Sequence, residues 1–161
     1  MNPVPNEWLL YCRAGFEPDL AAEITARASD VEEDGQVVMA ETNSGFVRWQ
    51  SAERQQANGI HRSLPLRSLV FARQSLVAFA PLMLSRDDRI TPIVEQVNKS
   101  GWNFESIWHE MPDTNEGKSL GRLAKSLNRP LESALKRGGG LRRKAGGRRL
   151  HLFWLSGDSV Q

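Results

Sequence analysis

The stretch GQVVMAETNSGFVRWQ, residues 35–50, constrains the fold more than any other part of this 161-residue chain. Two apolar runs flank TNSG, in which Asn43 and Gly45 can supply the positive φ of a tight reversal, so the segment reads as a β-hairpin. What stands on either side of it fixes the rest. Upstream, WLLYC (residues 8–12) reads as a strand. A helix follows over 18–28, because Leu20, Ala21, Ile24 and Ala28 recur at helical spacing and Pro18 suits a first turn. Asp34 and Gly35 turn the chain into the hairpin. Downstream, a polar helix is expected over 51–62, ending before Pro65, and SLVFARQSLVAFA predicts a strand over 69–80. The order β-α-β-β-α-β is the split βαβ, or ferredoxin-like, arrangement. That fold hosts many unrelated functions and by itself supports none.

PLMLSRDDR (residues 81–89) reads as a linker into a second block, with Asp87 and Asp88 at a helix start. A short helix is expected over 90–97, with Ile90, Ile93, Val94 and Val97 on one face. WNFESIWHEM then alternates as a strand, placing Phe104, Ile107 and Trp108 against a core. Asp113 and Glu116 resemble a capping box for a helix over 115–127, whose apolar face is Leu120, Leu123, Ala124 and Leu127. Pro130 is expected to break that helix and start another, burying Leu131, Ala134 and Leu135. HLFWL closes the chain as a strand with Phe153 and Trp154 in the core. The expected class is therefore α+β: a ferredoxin-like domain over 1–82 and a smaller α/β domain over 83–161.

The residue inventory offers no chemistry. His61, His109 and His151 are isolated, without a partner at metal-ligand spacing, and no G-x-S-x-G, P-loop or dinucleotide fingerprint is present. GGGL follows a helix rather than a strand, which does not match a cofactor loop. Cys12, the only cysteine, lies in an apolar run and reads as a small buried hydrophobe, as suits a reducing cytoplasm. No signal peptide or apolar stretch of about 18 residues is present, so a soluble, cytoplasmic protein without a membrane partner is expected.

Charge is the informative property. Through Asp113 the chain has 10 Lys and Arg against 16 Asp and Glu, a net −6; from Thr114 onward it has 11 against 3, a net +8. The eleven cations are Lys118, Arg122, Lys125, Arg129, Lys136, Arg137, Arg142, Arg143, Lys144, Arg148 and Arg149, with Glu132 the one carboxylate among them. Six of them share residues 137–149, RGGGLRRKAGGRR, with five glycines. Glycine has the most backbone freedom to lose on ordering, so this segment reads as a flexible arm. Phosphates along a nucleic-acid backbone are a repeating line of negative charge that such cations neutralise with release of counterions. The eleven residues are thus the candidate RNA-binding set. No exposed aromatics interleave with them in the sequence, so base stacking is not indicated.

Four motifs carry a resemblance: CRAGFEPDLAAEIT (residues 12–25), LVFARQ (69–74), DDRITPI (87–93) and DTNEGKSL (113–120). In this order and spacing they resemble the N-terminal part of the RlmM family of bacterial ribosomal RNA large-subunit methyltransferases, over nearly the whole chain. The resemblance implies a ferredoxin-like domain, a THUMP domain whose sheet lacks its last strand here, and a Rossmann-like catalytic domain beyond Gln161. It also implies S-adenosylmethionine as cofactor of the parent enzyme, none in this chain, and methylation of a cytidine ribose 2'-oxygen in 23S ribosomal RNA. On that reading this chain is an N-terminal fragment that binds ribosomal RNA, not DNA, as a monomer and carries no catalytic residue. A freestanding ferredoxin-like module that senses a ligand or docks an acidic protein is the competing class.

Overall fold

A computed structural model describes residues 4–52, 57–143 and 146–161. The chain divides into two compact units, one of residues 4–80 with 112–114 and the other of 81–111 with 115–161.

The first unit runs β1 (Glu7–Tyr11), α1 (Glu17–Asp30), β2 (Gly35–Met39), β3 (Phe46–Ser51), α2 (Ala57–Ser63) and β4 (Gln74–Ala78). Its antiparallel sheet has the order β2-β3-β1-β4, the ferredoxin-like topology. Trp8, Leu10, Val47 and Trp49 from the sheet pack with Leu20, Ile24 and Ala28 from α1 and with Ile60 from α2. The β2–β3 reversal places Asn43 at φ 64° and Gly45 at φ 82°. The Asp34–Gly35 turn works differently. Glu32 takes the left-handed conformation, at φ 57°, while Gly35 opens β2 where a Cβ would lie 2.0 Å from the Trp49 ring. Glycine is required there by close approach.

Two expectations in this unit are corrected. Ser51 ends β3 instead of starting a helix; α2 is described from Ala57, and residues 53–56 lie outside the described residues. The strand expected from Leu69 begins only at Gln74, after a 3-10 turn at Leu66–Ser68. The Glu23 carboxylate of α1 accepts the Val70 and Phe71 amides at 2.7 and 3.0 Å, bonds that a sheet ladder would otherwise have supplied. Leu69 is buried, Phe71 and Ala72 pack partly buried against the core, and Val70 is 78 % exposed, so the apolar run anchors a loop rather than forming a strand.

The second unit runs β5 (Leu82–Met83), α3 (Ile90–Ser100), β6 (Ser106–Glu110), α4 (Asn115–Arg137), β7 (Arg149–Ser156) and β8 (Ser159–Val160), with sheet order β5-β8-β7-β6. Asp88 opens α3 by accepting the Ile90 and Thr91 amides. β6 and β7 are parallel and joined through α4. Ile93, Val97, Ala124, Leu131 and Leu135 from the helices pack with Leu152 and Trp154 from β7. Pro130 lies inside α4 and does not end it. A proline inside a helix costs about 3 kcal/mol through a lost hydrogen bond and a clash. The apolar register nevertheless continues through it from Leu127, and Leu131 and Leu135 are 0 % and 1 % exposed, a burial of comparable size. Pro130 and Ser126, whose carbonyl loses its amide partner, are both exposed, so water can take that bond.

Candidate nucleic-acid interface

The cations that sequence places in a list, α4 places in a line. At 100° per residue, Lys118, Arg122, Lys125, Arg129 and Lys136 fall within about 60° of one another, opposite Leu120, Leu123, Leu127 and Leu131. All five are exposed. At a rise of about 1.5 Å per residue, the stripe extends for about 27 Å, and its first four members succeed one another every 4.5 to 6 Å or so. Lys136 shares its charge with Glu132, 2.5 Å away, whereas among the described residues no ion pair involves Lys118, Arg122, Lys125 or Arg129. Arg137 projects about 100° from the stripe and is also exposed.

The glycine-arginine segment is built differently from a flexible arm. Gly138, Gly139 and Gly140 terminate α4: their amides bond the carbonyls of Ala134, Lys136 and Leu135, and Gly139 takes φ 77°. Gly140 is buried, and a Cβ there would stand 2.7 Å from Val97 Cγ1. Leu141 enters the core and bridges to Phe104. Gly146 and Gly147, at φ 72° and 74° with open space where a Cβ would stand, form a turn whose Gly147 amide donates to Glu105 Oε2 at 2.9 Å.

Three of the segment's arginines are held too. Arg142 Nε donates to Gly139 O at 3.0 Å. The Arg148 guanidinium lies 5.1 Å from the Trp102 ring centroid, and that of Arg149 lies 4.8 Å from the Trp108 centroid. Arg143 is exposed, and Lys144 lies outside the described residues.

Trp108 is therefore a second correction: it is 47 % exposed, not core. Side chains alternate across a strand. Ile107 and His109 face α4, where the Trp154 indole Nε1 donates to His109 Nδ1 at 3.1 Å; Trp108 and Glu110 face the other way. Because an indole N–H only donates, His109 Nδ1 is the acceptor. Burial then lowers the imidazole's affinity for a proton, partly opposed by the Asn128 side chain, so the ring is neutral near pH 7. The parity of SIWHE was the available signal for Trp108, since Ile107 could enter the core only by sending Trp108 outward.

Among the described residues no group of three or more His, Cys, Asp or Glu could hold a metal ion, and no helix is long and apolar enough to cross a membrane. The β6-α4-β7 crossover could in principle house a cofactor at its strand-to-helix turn. That turn, residues 111–115, has no glycine, and the glycine run stands at the far end of α4. These residues do not fit an S-adenosylmethionine cradle.

The architecture is thus that of a two-unit α+β protein, a ferredoxin-like unit followed by an α/β unit with a cationic helix. Comparison with known proteins gives it a family. Residues 6–76 match the RlmM ferredoxin-like domain, and residues 88–161 match the N-terminal domain of ribosomal RNA large subunit methyltransferase M. The chain belongs to this family through its N-terminal region. A relative in Chromohalobacter salexigens, a ribosomal RNA large subunit methyltransferase M, is 59 % identical over the whole chain, which covers 45 % of that protein. Proteins of the same name in Tolumonas auensis and Xanthomonas campestris are 44 % and 42 % identical over 96 % and 93 % of the chain, covering 43 % of each. The chain thus spans less than half the length of these relatives. The crystal structure of a possible methylase from Clostridium difficile 630 shares the fold, with a TM-score of 0.51 and 17 % identity over 96 % of this chain and 39 % of that one.

Proposed function

We propose that this chain is the RNA-holding N-terminal region of a longer ribosomal RNA methyltransferase. The stripe along α4 is the observation that carries the reading. Four exposed cations without carboxylate partners, spaced at roughly the interval of successive phosphates, have their charge available to a polyanion. The second unit takes the THUMP-like role of grasping the RNA. Arg142, Arg143, Lys144, Arg148 and Arg149 add phosphate contacts at the end of α4 and the start of β7. The acidic first unit packs and orients. The parent enzyme draws its methyl group from S-adenosylmethionine in a part of the protein other than these two units, and its substrate is a cytidine 2'-oxygen of 23S ribosomal RNA. The chain works as a cytoplasmic monomer.

Charge reversal tests this. Changing Arg122, Lys125 and Arg129 together to Glu should weaken binding to a large-subunit ribosomal RNA fragment by at least about tenfold at moderate salt. Reversing Arg13 and Arg27, exposed on the first unit, should change it less. Equal losses would mean that the stripe has no special part in binding.

A further inference from the structure

We infer that the face of the β6–β7 sheet carrying Trp108 and Arg149 is a stacking platform for an unpaired RNA base, an inference that rests on the proposed RNA-binding role. The platform is small and defined. The Trp108 indole, 47 % exposed, lies under the Arg149 guanidinium at 4.8 Å. His151, directly across the parallel register from Trp108, has its ring 6.2 Å away at 33°, and its Nδ1 is bonded to Glu110 Oε1 at 2.6 Å. That bond fixes the orientation of the imidazole beside the indole.

A cation over an indole can be merely structural, contributing about 0.5–1 kcal/mol at an exposed site. Three observations go beyond that. The indole remains half exposed beside Ser106, Arg149 and His151 at the start of β7, whereas Phe153, buried further along the same face, marks where the apolar packing begins. Arg149 is itself exposed, so its plane is open as a second stacking surface. Arg142, Arg143 and Arg148 stand at the same end of β7, joined to it by the Arg142 amide on Phe104 O and the Glu105 amide on Arg148 O. These cations would meet the phosphates flanking a stacked base. Bases splayed from single strands, loops and bulges stack on aromatic rings and guanidinium planes, whereas bases inside a duplex are already stacked on one another. The occupant is therefore an unpaired nucleotide. The platform and the α4 stripe lie on opposite faces of the sheet layer, so the two contacts are separable by mutation.

The experiment compares a single-stranded ribosomal RNA oligonucleotide with a duplex of the same sequence, using the chain itself, Trp108→Ala and Trp108→Phe, each verified as folded by circular dichroism. Trp108→Ala should lose about 5- to 100-fold in affinity for the single strand, with an unchanged salt slope, and stay within about twofold on the duplex. Trp108→Phe, which keeps an aromatic face and guards against a packing artefact, should stay within about threefold on both. Equal losses on both RNAs, or none on the single strand, would overturn the platform while leaving salt-dependent RNA binding intact. Self-association abolished by Trp108→Ala with RNA affinity unchanged would assign the face to protein and overturn it also. A chain that binds neither RNA would refute the functional reading and the platform with it.

Discussion

Glu17, a residue that composition and charge counts treat as one more acid, should be among the strongest stability determinants of the first unit. Its side chain is 0 % exposed. Oε1 accepts the Gly45 amide at 2.7 Å, and Oε2 accepts those of Gly15 at 2.9 Å and Asn43 at 3.1 Å. The carboxylate thus ties the start of α1 to the β2–β3 reversal. Burial raises its pKa, but the backbone bonds from Gly45, Glu17 itself, Asn43 and Gly15 outweigh that and hold it below the ordinary glutamate value. Glu17→Gln keeps the shape while supplying only one acceptor, so either the Gly45 amide or the Gly15 and Asn43 pair must face an NH2 group. Bonds to charged groups contribute about 1.5–3 kcal/mol, and an orphaned buried donor costs about 1–3 kcal/mol. A loss of about 2–4 kcal/mol follows, measurable as a lower urea midpoint for the transition of buried Trp8 and Trp49. The pH dependence has a definite sign. A depressed folded-state pKa stabilises above the unfolded value near 4.3 and is lost as pH falls through the folded one, so Glu17→Gln should flatten the acid limb of the stability profile. A change under about 0.5 kcal/mol at pH 7, or an unaltered acid limb, would refute the reasoning.

Two further outcomes follow from close contacts. Gly140→Ala places a Cβ 2.7 Å from Val97 Cγ1 and should cost about 1–3 kcal/mol, whereas Gly146→Ser meets no atom within 4 Å and bears only the strain of its positive φ; thermal melts of both variants decide between packing and flexibility at these glycines. The Cys12 thiol, pushed up to about 11 by burial and by the Glu17 charge, should resist thiol reagents at pH 8 in the folded chain and react on unfolding, and rapid labelling of the native chain would contradict this.

The ferredoxin-like order was legible because local signals agreed: the short apolar run WLLYC, the helical spacing of Leu20, Ile24 and Ala28, and the positive φ at Asn43 and Gly45 each acted within a few residues. The misread elements were decided from a distance. The Glu23 carboxylate captured the amides of Val70 and Phe71, and the register of Leu131 and Leu135 carried α4 through Pro130. Lys118, Arg122 and Lys125 already line up within the helix expected over 115–127, whereas Arg129 and Lys136 join them because α4 is a single helix of 23 residues that runs through Pro130. Glycine count suggested flexibility, whereas Gly140 is dictated by Val97, which lies far away in sequence. Trp108 stands outside the core because Ile107 faces α4 and strand parity turns its neighbour away, an outcome that the alternation of SIWHE encodes.

The most direct test of the central claim is the salt dependence of the chain's affinity for a fragment of large-subunit ribosomal RNA, measured alongside a variant with Arg122, Lys125 and Arg129 replaced by Ser. If the stripe lies along phosphates, log affinity should fall linearly with log salt, and the variant's slope should be shallower by roughly 2 to 3, at about 0.7 to 0.9 for each contact removed. Affinity should drop alike on unrelated sequences of the same structure, because phosphate contacts position without reading bases. Identical slopes for the chain and a folded variant would contradict the claim, leaving the stripe as a solvated helix face.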